Sequence, residues 1–388
     1  MVAIYLFNRA LRLDDNKGLQ DALRQSIVLP LFCVDPRQAS PKKNPYFSPY
    51  ALGFMLQSLE DLREDLRSTY HSDLLLLLGE PHLILPKLIS RLDVTHVYLN
   101  EDYTPFARKR VEEIKKACPG VEVVEVPDHL LFDPKKVSTK GGTAHRVYTV
   151  FRNDTEKRKV EEPKKLSLKH GFLATKQIKA FQKSTGWSLL RKHSKYAPLY
   201  TPGGRSEALK RLKNLPNTQE RYATCRNYLK YQTSNLSAYI KFGCISIREA
   251  WHGMGRIRNK TSGREIKREL IWREFYYHYY IAYPEELGWK EKYPEARVDA
   301  KAHPIVKKCY QDLDKTGFLH NRGRMILAHD LLHRQKIYWK SGDKMYAKRL
   351  VDYDPIVNIG NWRWIVKQPP FKHLVPRVQA EKWDRECS

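Results

Sequence analysis

Five short apolar runs, separated by stretches with helical periodicity, constrain the first third of this 388-residue chain more than any other feature. Residues 2–7, 26–34, 74–78, 95–99 and 121–126 read as buried strands. Between the second and third, Ser48 is placed to cap a helix. Leu52, Met55, Leu56, Leu59, Leu62 and Leu66 share one face of it. A further helix is expected over 104–118, with its basic residues outward. This alternation predicts an α/β domain over 1–130, built on a parallel, doubly wound, Rossmann-like sheet. Such a sheet can hold a nucleotide where its strand order reverses. No G-x-G-x-x-G follows the first strand, and no G-x-x-x-x-G-K-[ST] occurs anywhere, which disfavours a Rossmann-bound dinucleotide and an NTPase. Asn8, Arg9, Arg12, Asp14, Asp15 and Asn16 follow the first strand. Loop structure and a helix cap explain them at least as well as a ligand does.

Beyond residue 130 the pattern changes twice. Over 131–196 lysines crowd VSTKGGTAHR and EKRKVEEPKKLSLKHG, with Gly141, Gly142 and Pro163 as breakers. This segment reads as a basic, exposed connection with some local helix. From 197 to 388 the chain turns helix-rich, without a repeat of 20 to 50 residues, and predicts an all-helical domain. Two to three domains suit the length.

The chain carries 70 Lys and Arg against 43 Asp and Glu, a formal charge of +27. That excess goes beyond what solubility needs and points to a polyanion, nucleic acid first. Its six cysteines are scattered without a C-x-x-C pair, so neither a disulfide framework nor a zinc site is expected. The N-terminal apolar run is too short for a signal peptide, and no run of 18 apolar residues could span a membrane. A soluble intracellular monomer, in cytoplasm or nucleus and without a membrane partner, is the expectation.

The chemistry concentrates in the second half. Residues 320–364 begin with helical spacing of Met325, Ala328, Leu331, Leu332 and Ile337. Asp352, Asp354 and Asn358 follow, and then Gly-Asn-Trp-Arg-Trp, a density of polar groups and tryptophan that ordinary core does not need. Thr233, Ser234, Leu236 and Ser237 lie together at a helix start, where they can cap the helix or bind phosphate. Glu269, Trp272, Arg273 and Tyr276 fall on one helical face.

Together these segments resemble the photolyase/cryptochrome family of flavoproteins over most of the chain. The resemblance rests on the loop after the first strand, YTVF at 148–151, Tyr222-x-x-x-Arg226 followed by TSNLSAYIKFGCIS, ELIWREF at 269–275, and NRGRM…W…DYDPIVNIGNWRW. The chain departs from the family in several places. Asn8 stands where Arg is usual, the segment between Glu269 and Asn321 is short, and a loop after Trp364 is missing. The ending, PPFKHLVPRVQAEKWD, is also short, with Lys372 in place of an Arg.

The resemblance implies a bent FAD inside the helical domain. Tyr222, Thr233, Ser234, Leu236 and Ser237 would hold its phosphates, and Trp272, Arg273 and Asn321 would add contacts. Arg324 would pair with Asp352, Asp354 would face the adenine–flavin junction, and Asn358 would lie beside flavin N5, as in photolyases. Glu269, Trp272, Asn321, Met325 and Trp364 would form the pocket for a flipped cyclobutane pyrimidine dimer. Trp362 and Trp339 would carry electrons, with Trp289 or a nearby tyrosine as the third member. Arg226, Arg322 and Lys372 would contact the DNA. Catalysis would be electron transfer from photoexcited reduced flavin to the dimer, with no metal. An antenna such as a folate or deazaflavin is left open. The alternatives are a cryptochrome-like blue-light receptor and a flavin-free DNA-binding protein.

Overall fold

The computed structural model describes residues 1–388 apart from 140, 183–185, 189–190, 192–198, 289–292, 368–379, 381–382, 384 and 388. Its N-terminal half is the expected parallel sheet. Strands β1 (Val2–Phe7), β2 (Ile27–Val34), β3 (Leu75–Leu78), β4 (Val94–Asn100) and β5 (Glu122–Val126) pair in the order β3-β2-β1-β4-β5. All neighbours are parallel. The order reverses between β1 and β4, which places a crevice at their C-terminal ends.

Local chemistry sets the helices that cover this sheet. Asn16 Oδ1 accepts from Leu19 N at 3.2 Å and so caps the helix Lys17–Gln25. Ser48 Oγ accepts from Ala51 N at 3.3 Å and caps Pro49–Tyr70, whose Leu52, Leu56, Leu59, Leu62 and Leu66 are buried. Pro105–Ala117 lies where a helix was expected. The helix Pro81–Leu92 went unassigned in the sequence because Pro81 and Pro86 interrupt its pattern.

The connection over 131–196 is less free than its lysines suggest. Gly171 O accepts from Val28 N at 2.9 Å, and Leu173 N donates to Val28 O at 2.9 Å, so this segment straps onto β2. Phe151, Val160, Leu173 and Ile178 are buried. Apolar residues spaced through a basic segment pay the ordering entropy that the lysines alone would not.

The C-terminal half is helical among the described residues, and its longest helix is Lys260–Ala282. One hydrophobic cluster runs across both halves, with Phe54 packing on Tyr239 and Phe242 at ring distances of 5.0 and 5.2 Å. Gly243 sits at the seam. Its φ of +68° and the place a Cβ would occupy, 2.0 Å from Arg9 O, both exclude a side chain. The helical reading of 320–337 needs two corrections. The α-helix Asn321–His329 passes into a π turn, Asp330–Arg334, and Lys336 has φ +55°, so Ile337 lies past the helix. The cysteine expectation is corrected too. Cys225 and Cys387 form a disulfide across 162 positions, a pairing that spacing cannot reveal, while Cys33, Cys118, Cys244 and Cys309 are buried thiols. No helix among the described residues is long and apolar enough to cross a membrane.

Candidate functional site

Two polar regions compete for attention, and they differ in the space they enclose, about 10 Å³ at one and about 450 Å³ at the other. At the β1–β4 crevice, Arg12 and Arg248 bridge Asp15 and Asp128. Arg248 Nε meets Asp15 Oδ2 at 2.9 Å and its Nη2 meets Asp128 Oδ1 at 2.6 Å, while Arg12 Nη2 is paired with Asp128 Oδ2. Asn100 Nδ2 donates to Asn16 and to Asp128, both at 3.1 Å. These ionic side chains are 2 to 4% exposed. They fill the crevice with contacts between the two halves.

The helical half instead holds a cavity of about 450 Å³. Tyr222, Thr233, Ser234, Leu236 and Ser237 line it, the last four around the start of the helix Ser237–Phe242. The long helix contributes Glu269, Trp272, Arg273 and Tyr276 on the face that helical spacing predicts. Asn321, Arg324 and Met325 come from the helix Asn321–His329. Asp352, Asp354, Asn358, Trp362 and Trp364 come from the helix Pro355–Lys367 and the turn before it.

The remaining expected residues fall elsewhere. Arg226 sits outside the cavity lining, 2.9 Å from Glu265 and 4.0 Å from Glu269. Arg322 is bonded to Asn227. Trp339 lines a smaller cleft of about 30 Å³ behind the cavity, beside Asp343. The helix it opens carries Gly342, where a Cβ would come within 2.3 Å of the Trp362 ring, so this helix packs closely against the one that carries Trp362. Lys372 and Trp289 lie outside the described residues.

The floor of the cavity is charged and buried. Asp352 and Asp354 are 9% and 8% exposed. Arg324 Nη2 meets Asp352 Oδ2 at 2.9 Å. Burial opposes ionisation of Asp352 and Arg324 outweighs it, so its carboxyl titrates below the usual range. Asp354 behaves alike, with burial opposed by Arg9 and Arg273. Asn358 Nδ2 donates to Asp343 Oδ1 at 2.5 Å, and Tyr353 Oη donates to Asp343 Oδ2 at 3.0 Å. Burial pushes the Asp343 carboxyl up to about 6, because those two neutral donors compensate only in part. Burial likewise lowers the ammonium of Lys241, on the cavity wall, to about 8.

The rim is aromatic and half exposed. Trp272 and Trp364 meet edge to face, with centroids 6.3 Å apart and planes at 71°. Behind Trp272, Tyr148 stacks at 3.4 Å with planes 6° apart. Glu269 is 46% exposed, yet it faces the cavity, and desolvation there raises its carboxyl against the pull of Arg226. Tyr222 hydrogen-bonds to it.

Sequence reasoning did not assign Arg9, Asp343, Lys241 or Tyr148 to the site. Tyr148 carried a signal in the YTVF run, Arg9 in the loop after the first strand and Lys241 in TSNLSAYIKFGCIS, while Asp343 carried none. Their approach to the cavity depends on folding that local pattern does not encode.

The wall suits a large polar ligand. Asp352 Oδ1 and Trp362 Nε1 are buried without a hydrogen-bond partner among the described residues, and such atoms are expected to be satisfied. Residues 3–167 match the family profile described as DNA photolyase, and 266–388 match that described as the FAD binding domain of DNA photolyase. The chain belongs to the DNA photolyase family of enzymes, and FAD is the cofactor of its helical domain. Among solved structures it is similar to the archaeal photolyase from Sulfolobus tokodaii with two FAD molecules. That match has 31% identity and a TM-score of 0.81, covering 99% of this chain and 90% of that one. A class III photolyase from Agrobacterium tumefaciens is 27% identical, with a TM-score of 0.80 and coverage of 98% and 84%. The deoxyribodipyrimidine photo-lyase of Synechococcus sp. is 29% identical over 99% of this chain and 86% of its own length. Cryptochrome-2 of Gallus gallus is also 29% identical, over 94% and 68%.

Proposed function

We propose that this protein is a deoxyribodipyrimidine photo-lyase that repairs cyclobutane pyrimidine dimers in DNA with blue light. The observation that carries the reading is one cavity with two chemistries: a floor of buried Asp352 and Asp354 with part-buried Asn358, beneath a part-exposed Trp272–Trp364 rim. When bound, reduced FAD would supply on illumination the electron that opens the cyclobutane ring and would take it back once the two pyrimidines separate. The Thr233, Ser234 and Ser237 hydroxyls, with Tyr222 and the Leu236 backbone, would hold its phosphates, and Arg273 would add a charge. Arg324 keeps Asp352 ionised for a donor on the cofactor. The Asn358 amide, held by Asp343, presents its remaining polar atom to the cavity.

The rim residues would receive the lesion. A flipped dimer has two apolar faces, and a tryptophan pair at 71° offers one surface to each. Flipping costs a few kcal/mol, and least where damage has already weakened pairing, which selects lesions over intact DNA. Glu269 would hydrogen-bond a pyrimidine edge, with Asn321 and Met325 completing the wall. Arg226, Arg322 and Lys372, within a +27 chain, would meet the phosphates. Trp362 and Trp339 would pass electrons to the flavin. We divide the chain into an α/β domain (1–130), a strap (131–196) and a helical domain (197–388) acting as a monomer.

The test is repair of a thymine-dimer oligonucleotide by the photoreduced holoprotein. Intact thymines restored under blue light and not in the dark support the reading. A reducible flavin without repair would replace it with the receptor reading.

A further inference from the structure

The loop after β1 delivers a side chain into the floor of the cavity. Arg9 lies 345 positions from Asp354, and its Nη2 is bonded to Asp354 Oδ2. Arg9 Nη1 donates to Tyr277 Oη at 2.9 Å, and its Nε donates to Lys241 O at 3.4 Å. Tyr277 Oη in turn donates to the same Asp354 oxygen at 2.6 Å. The other oxygen, Oδ1, accepts from Ile356 N at 3.1 Å and Val357 N at 3.3 Å. Those amides open the helix Pro355–Lys367, which carries Asn358, Trp362 and Trp364. Asp354 is therefore fixed at both ends, one oxygen starting the helix and the other gripped from the opposite half of the molecule.

A carboxylate this buried keeps its charge only when paired. The groups around it are few. Arg9 comes from the β1 loop and Asp102 stands 3.5 Å behind it. Arg273 and Tyr277 come from the long helix, Lys241 from the helix Ser237–Phe242. His129 meets Tyr277 Oη at 2.9 Å, and burial with Arg273 beside it lowers its imidazole well below the usual range, so it adds no charge. Arg9 is the cation in contact.

We propose that Arg9 is a positioning residue of the FAD site, holding Asp354 ionised and oriented so that the cavity is complete only with the N-terminal half docked. This rests on the reading of the cavity as the FAD site. The consequence is a constant charge. With Arg9 in place Asp354 titrates below the usual carboxylate range and stays charged through neutrality. Without it burial prevails and the carboxyl moves up.

The experiment measures the dissociation constant of FAD across the neutral pH range by equilibrium dialysis. It compares the full-length protein with Arg9→Met, Arg9→Lys and the double variant Arg9→Met/Asp354→Asn, each checked for folding by circular dichroism. Arg9→Met should weaken binding about ten- to a hundredfold, the worth of a charge-assisted hydrogen bond. It should also acquire a pH dependence that wild type and the double variant lack. Arg9→Lys should keep the flat profile at intermediate affinity, because the charge survives and the fork does not. If Arg9→Met does not fold, Arg9→Lys carries the test: weakened binding with a flat profile supports the proposal and wild-type affinity overturns it. A folded Arg9→Met with the wild-type constant and a flat profile overturns the inference and leaves the cavity reading standing. Wild-type protein that binds no FAD overturns both.

Discussion

At the sheet crevice, Arg12, Asp15, Asp128 and Arg248 bury four charges that spend their hydrogen bonds on one another. In the helical half, Arg324, Asp352, Asp354 and Asn358 are also mostly buried, and they face about 450 Å³ of space with bonding capacity left over. The residue types are nearly the same. The difference lies in whether the charges complete one another or stop short. The crevice where a doubly wound sheet could take a nucleotide is here occupied by ion pairs, a clamp that joins the two halves of the chain. The binding site has moved to the helices. Buried charge alone therefore does not mark a site; a volume large enough for a ligand beside it does.

The comparison can be broken at either end. The largest effect is expected at the clamp. Asp128→Ala strips two buried guanidinium groups of a partner and should cost about 3–5 kcal/mol in denaturant unfolding. A loss under about 1 kcal/mol would mean that the clamp carries little of the stability.

Behind the cavity, Asp343 is buried against neutral donors, unlike the paired acids of the clamp. Its carboxyl stands at about 6 against an ordinary 3.8, so between those values the folded state holds the proton more tightly. Stability from this group therefore rises as pH falls through 6 and is forfeited above it. Asp343→Asn should stabilise the protein on the order of 2 kcal/mol at neutral pH, with the gain fading by about pH 4. An equal gain at both pH values would show that the carboxyl is not the cause.

On the rim, Trp272→Ala should weaken binding of the FAD-loaded protein to dimer-containing DNA by roughly 1–3 kcal/mol, the value of one stacking face. Unchanged discrimination between damaged and intact oligonucleotides would remove Trp272 from the lesion pocket. The smallest effect falls on Tyr148, whose ring backs Trp272 at 3.4 Å. Tyr148→Ala should cost about 0.5–1.5 kcal/mol of lesion affinity, and Tyr148→Phe, which keeps the stack, should restore it. Titration of fluorescent oligonucleotides separates the two.

How much of this could be read from the chain follows from the range of each interaction. The strands and the capped helix at Ser48 were legible because period and cap are local. So was the shared face of Glu269, Trp272, Arg273 and Tyr276, since helical spacing fixes it. Apolar residues such as Phe151 and Leu173 make the middle segment a strap, and they were masked by the lysines around them. Arg9 on Asp354, Cys225 with Cys387, and Asp343 under Asn358 depend on tertiary approach. No spacing rule reports them.

The most direct measurement is the light-driven repair rate per folded molecule for Trp272→Ala and Asp128→Ala, side by side with wild type. If the cavity does the chemistry and the clamp only holds the halves together, Trp272→Ala loses the repair rate of the molecules that remain folded. Asp128→Ala then loses stability and keeps the rate of whatever remains folded. The account is contradicted if Trp272→Ala repairs dimers at the wild-type rate.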